Sequence, residues 1–169
     1  VLNKKDGSTF DDKDESLLEA LSVQAGVAIQ RARLLEAFVE KQRIQESLKL
    51  AADIQMGMLP KDFPAFPNRD DFDLFASIIP AKEVGGDFYD FFLIDDDHLC
   101  FVIGDVSGKG VPAALFMAVT KTHVAASTIP GIEPSDILIR ANDELSKEND
   151  QGMFCTIFYG ILNTKTGEV

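Results

Sequence analysis

Two stretches decide the fold: Gly85-Gly86-Asp87-Phe88-Tyr89-Asp90 and Gly104-Asp105-Val106-Ser107-Gly108-Lys109-Gly110. Between them run two apolar and aromatic segments, Phe88–Ile94 and Leu99–Asp105, separated by Asp95-Asp96-Asp97. Apolar runs bounded by turn residues predict an antiparallel hairpin. A fold-back centred on Asp96 sets Asp87 opposite Asp105, where directly paired residues have Cα atoms ~5 Å apart. Two ionised carboxylates at that separation repel by about 3 kcal/mol at an effective dielectric of ~20. The pair must therefore protonate or bind a cation, and oxygen donors suit magnesium or manganese. Glycines beside both acids let backbone come close to a ligand. On the face of Asp87 and Asp105 the hairpin carries Tyr89, Phe91, Leu93, Leu99, Phe101 and Ile103. Phe88, Phe92, Ile94, Cys100 and Val102 occupy the other, so helices are expected on one face and a second sheet on the other.

Outward from the hairpin, Phe72–Ile79 reads as a further strand, Val111–Ser127 and Pro134–Lys147 as helices, and Phe154–Leu162 as a last strand. Asn163 to Gly167 reads as a hairpin turn, leaving that strand with a free edge that invites pairing between copies. Residues 60–71 hold Pro60, Pro64 and Pro67 without periodicity and read as a stiff linker. Upstream, Leu18, Leu21, Ala25, Ala28, Ala32, Leu35 and Val39 recur at alternating steps of three and four. That is the seam of a coiled-coil-like helix capped by Ser16; a break in phase between Val39 and Ile44 makes it one long helix with a skip, or two helices in series, to about Leu59. It predicts self-pairing into a homodimer. Before it, Val1-Leu2 reads as the end of a strand, followed by a Lys5-Asp6-Gly7 turn.

Composition removes whole classes of function. With 46% apolar and 26% charged residues the chain is not intrinsically disordered, and 169 residues can bury a core. Its net charge of −12 repels nucleic acid and anionic membrane, so neither is an expected partner. Two cysteines without a C-x-x-C and two histidines make no zinc site, and the two thiols fit a reducing cytoplasm.

Three motif matches fail on their own chemistry. Gly108 to Ala113 fits G-x-G-x-x-A, yet no second parallel strand ending in an acid follows. Lys109 lacks the Ser/Thr of a phosphate-binding loop, and Asp105 stands where G-x-S-x-G around Ser107 needs glycine. The Asp95–Asp97 run lacks the Gly and Glu of a calcium loop.

Pro80 to Asp90, Gly104 to Gly110, the small-residue helix after them, Asn142, Leu145 and Phe154 to Gly160 together resemble the SpoIIE-type branch of the PPM metal-dependent serine/threonine phosphatases. The similarity covers residues 48–169 and includes the Ala52 to Pro60 lead-in. Asn3 to Gly7 and the long helix are similar to the tail of a GAF sensor domain.

The resemblance implies an α+β fold, a β-sandwich flanked by helices, incomplete here and preceded by the coiled-coil-like helix. The implied organisation is a GAF-like tail over 1–40, a helical linker over 41–59 and phosphatase sequence over 60–169. Two manganese or magnesium ions are implied, Asp105 bridging them, the Val106 carbonyl completing one shell and Asp87 serving the second. A water between the ions would attack phosphoserine or phosphothreonine in line. Substrates of the family are phosphorylated regulatory proteins of the anti-sigma-factor-antagonist type. Asp90, by alternation, takes a supporting role. Further metal-binding acids of the family come from later strands, so these residues are expected to hold half a site, with weak metal binding and little turnover. The competing expectation is a non-catalytic dimerising module with an incomplete metal site.

Overall fold

The computed structural model describes residues 4, 5, 7–80, 83–147 and 149–169. The expected Val1-Leu2 strand, and Ala81 and Lys82 of the first acidic motif, lie outside them. The chain divides into two compact units, Val1–Ser47 and Leu48–Val169.

Helix α1 (Asp12–Gly57) is continuous through the expected phase break. Asp11, not Ser16, is its cap. The Asp11 carboxylate accepts the Lys13 and Asp14 amides (3.1 Å each), while Asp14 accepts the Asp11 amide (2.9 Å). An Asp at the N-cap with a second acid three residues on forms a reciprocal capping box, and Ser16 is left to bond back to the Asp12 carbonyl inside the helix. In the first unit the seam residues Leu18, Leu21, Leu35 and Val39 are exposed.

The second unit is built on the hairpin. Strands β1 (Phe88–Leu93) and β2 (His98–Val106) are antiparallel, with Phe88 opposite Gly104 and Leu93 opposite Leu99. That register is the expected fold-back about Asp96. β3 (Cys155–Asn163) pairs antiparallel on the far side of β2, giving the order β1-β2-β3. An all-antiparallel sheet cannot be the parallel scaffold of a dinucleotide site. After β3 the Asn163 amide donates to the Glu168 carbonyl (2.8 Å), and Gly167 turns the chain with φ 74°, as the expected hairpin turn requires.

Helices α2 (Val111–Ser127) and α3 (Pro134–Lys147) match their expected bounds. Ala113, Met117, Thr120 and Val124 of α2 and Ala141 of α3 are buried with Phe88, Cys100, Val102 and Val106 of the sheet. One face is thus helix-covered, as its apolar residues required. The other is closed only in part. Phe63 and Phe66 from the Pro-rich stretch lie on Phe91, with ring centroids 5.7 and 6.0 Å apart, so this linker is a wall of the core. The expected strand Phe72–Ile79 is extended chain without a ladder. Phe72, Leu74, Ala76 and Ile78 alternate half-buried with exposed neighbours, which gives the period of two, but among the described residues no strand pairs with their backbone. Further along this face Ile103 and Phe158 remain 62% and 63% exposed.

Candidate active site

Asp87 and Asp105 meet at the open end of the hairpin. They stand one step beyond Phe88 and Gly104, the last pair of the ladder, and both line one cavity. Burial raises the Asp87 carboxyl above the usual carboxylate range, and neighbouring Asp105 raises it further. This is the response expected of two acids forced together without a cation.

The backbone around the pair is tightly held. The Val106 amide donates to the Gly86 carbonyl (3.4 Å), and a Cβ placed on Gly86 would lie 2.7 Å from the Val106 carbonyl oxygen. Only glycine lets the Asp87 loop lie so close to the Asp105 loop. From β3, the Thr156 hydroxyl donates to the Asp105 carbonyl (3.3 Å). Ser107 extends the ladder, its amide donating to the Phe154 carbonyl (2.8 Å) and its hydroxyl accepting the Phe154 amide (3.0 Å). The serine is occupied as a brace, in keeping with its failure as a nucleophile motif.

Two features of the site were not anticipated. Gln55, in the last turns of α1, is buried, and its side-chain amide donates to the Gly85 carbonyl (2.5 Å) while its oxygen accepts the Gly85 amide (3.2 Å). The visible signal was a lone amide between the apolar Ile54 and Met56. On the opposite face Asp90 is only 8% exposed and pairs with Lys121 of α2 at 2.8 Å. Alternation placed Asp90 correctly, but a partner on a helix thirty-one residues later left no mark in the sequence.

A cavity of ≈260 Å³ beside the acids is lined by Gln55, Val84, Gly86, Asp87, Asp105 and Lys109, among others. A larger groove of ≈970 Å³ runs from the acids over the open sheet face, past Phe75, Ile79, Ile103 and Phe158. No three His, Cys, Asp or Glu side chains converge among the described residues. The two carboxylates nonetheless offer oxygen donors of the kind a hard divalent ion takes. Burial pushes the Cys100 and Cys155 thiols up to about 11, so neither is a nucleophile at neutral pH.

The SpoIIE family model, stage II sporulation protein E, matches residues 95–169. The chain is 33% identical over 138 residues to the phosphoserine phosphatase RsbU of Bacillus subtilis, across 82% of this chain and 39% of that protein. It is 32% identical to the protein IcfG of Synechocystis, covering 72% of this chain and 23% of that one. The SiaA-PP2C domain of Pseudomonas aeruginosa superposes with a TM-score of 0.54 at 24% identity, over 70% of this chain and 49% of that one, and shows the fold. The chain spans less than two-fifths of the length of these curated relatives. Residues 95–169 carry SpoIIE-family sequence, and the sheet and helices have the fold of a PP2C-type domain.

Proposed function

We propose that the protein removes phosphate from phosphoserine or phosphothreonine on a regulatory protein of the anti-sigma-factor-antagonist type, with divalent cations held at the acid pair. The observation that carries this is the pair of acids Asp87 and Asp105 on one cavity, its backbone braced from two sides. In support, the relative RsbU is named as a phosphoserine phosphatase. Asp105 would be shared between two manganese or magnesium ions, with the Val106 carbonyl on one and Asp87 serving the other. When bound, such ions supply a nucleophilic water at neutral pH and offset the charge of the phosphoryl oxygens. The protein's own part is to hold the two acids in fixed register through Gly86, Ser107 and Thr156.

Control is proposed to reach this site along α1. The domain assignment that goes with it is a GAF-like sensor tail over 1–40, a helical linker over 41–59 and phosphatase sequence from 60 onward. The exposed seam of Leu18, Leu21, Leu35 and Val39 supports a homodimer formed through the helix. Gln55, on the same helix, holds the loop that leads to Asp87. Insertion of one to four residues near Lys41 should then change activity with the helical period; a flat response removes this part of the proposal. No described helix is long and apolar enough to cross a membrane, and a cytoplasmic location is proposed.

The test is phosphate release from phosphoserine, phosphothreonine and phosphotyrosine proteins by the full-length protein with manganese or magnesium. Release from the first two, abolished by chelator, supports the reading. The exposed seam also favours a second reading, a dimerising module without turnover. A stable dimer that releases no phosphate with any divalent ion would establish it.

A further inference from the structure

Resting on the phosphatase reading, we propose that Lys109 binds the phosphoryl group of the substrate. Lys109 lines the same ≈260 Å³ cavity as Asp87 and Asp105. A phosphomonoester brings roughly −1.5 to −2 charges to that cavity. Both carboxylates repel it, and a net chain charge of −12 adds to the opposing field. Bound divalent ions offset part of this, but the four oxygens of the ester need donors as well. Among the described residues lining the cavity, Lys109 is the one cation.

Its availability separates it from the lysines held in ion pairs. Lys4, Lys121, Lys147 and Lys165 are each paired with an Asp or Glu. Lys109 is exposed and has no ion-pair or hydrogen-bond partner among the described residues. It stands between Gly108 (φ 90°) and Gly110 (φ 74°), a turn whose flanking positions no side-chain-bearing residue adopts without strain. The turn therefore offers one side chain at the cavity wall, and that side chain is an ammonium with three donors. A compact charge on a flexible stem suits a tetrahedral phosphate.

The experiment compares the full-length protein with Lys109→Met and Lys109→Arg, each loaded with magnesium. Three quantities are read: KM for a phosphoserine protein, the inhibition constant of inorganic phosphate, and phosphate affinity by calorimetry. Lys109→Met should raise KM and the inhibition constant by roughly tenfold or more and weaken phosphate affinity by the same factor, as loss of a charge-assisted hydrogen bond does, with kcat changed far less. Lys109→Arg should recover most of the loss. Melting temperatures should match the wild type, since Lys109 holds no other side chain. Equal phosphate affinity in wild type and Lys109→Met overturns the proposal. A wild type that binds phosphate through Lys109 yet releases none from any phosphoprotein overturns the phosphatase reading instead and keeps Lys109 as an anion-binding residue.

Discussion

Gln55 holds both backbone groups of Gly85, donating to its carbonyl at 2.5 Å and accepting its amide at 3.2 Å. One amide side chain thereby does for Gly85 what a neighbouring strand would do. It ties the end of α1 to the loop that enters β1, two residues before Asp87. Gln55→Leu should leave both groups of Gly85 without a partner and cost about 1–3 kcal/mol of stability. At temperatures where the variant is still folded, its activity should fall at least tenfold, because the loop carrying Asp87 loses its anchor. Denaturant unfolding and phosphate release on one sample separate the two effects. Unchanged activity in a folded Gln55→Leu protein removes the link between α1 and the site.

The two glycines of the loop should respond in opposite ways. A methyl on Gly86 meets backbone, the Val106 carbonyl oxygen at 2.7 Å, whereas nothing lies within 4 Å of one on Gly85. Backbone cannot swing aside as a side chain can. Gly86→Ala should therefore force the two acidic loops apart and weaken metal binding at least tenfold, while Gly85→Ala stays within a few-fold of wild type. Manganese titrations of the two variants make the comparison, and equal affinities contradict it.

The acid pair sets a pH dependence whose sign follows from the raised Asp87 carboxyl. In the metal-free protein the folded state holds this proton more tightly than the unfolded state. Stability attached to the group is complete below the ordinary Asp value near ~3.9 and declines as pH rises through the raised one. Asp87→Asn should accordingly stabilise the metal-free protein at pH 7, by at most about 1 kcal/mol because the pair faces solvent, and have no effect near pH 3.5. Divalent ions should raise the melting temperature of the wild type at pH 7 more than that of Asp87→Asn. Melting curves at the two pH values, with and without manganese, read both effects. A stabilisation independent of pH contradicts the assignment.

Much of the architecture was legible because it rests on local rules. The hairpin register follows from the turn at Asp96, and the two helix bounds follow from Pro112, Pro134 and the apolar spacing between them. Phe72–Ile79 shows the limit. Its alternation reports one buried side, which the structure keeps, but strand formation depends on a pairing partner that alternation cannot reveal. Ser16 failed as a cap because Asp11 and Asp14 together satisfy more amide groups than one serine can. Asp87 and Asp105 could be paired from spacing alone. Gln55 and Lys121 could not, since their partners lie thirty and thirty-one residues away across elements whose packing had to be seen.

The Asp90–Lys121 pair ties β1 to α2 beneath the site. Removing one partner strands a charge in a nearly closed environment, so Asp90→Asn or Lys121→Met should each cost about 3 kcal/mol. The double variant should recover a large part of that loss. Urea unfolding of the four proteins closes the cycle, and additive losses show that the two groups do not act as a pair.

The most direct test of the central claim is the rate of phosphate release from a phosphoserine protein as a function of manganese, for the full-length wild type and Asp105→Asn. The account predicts saturable, manganese-dependent release by the wild type, and a loss of at least a thousandfold in the variant that added manganese does not restore. Release by Asp105→Asn at the wild-type rate, or by the wild type with manganese removed, would contradict it.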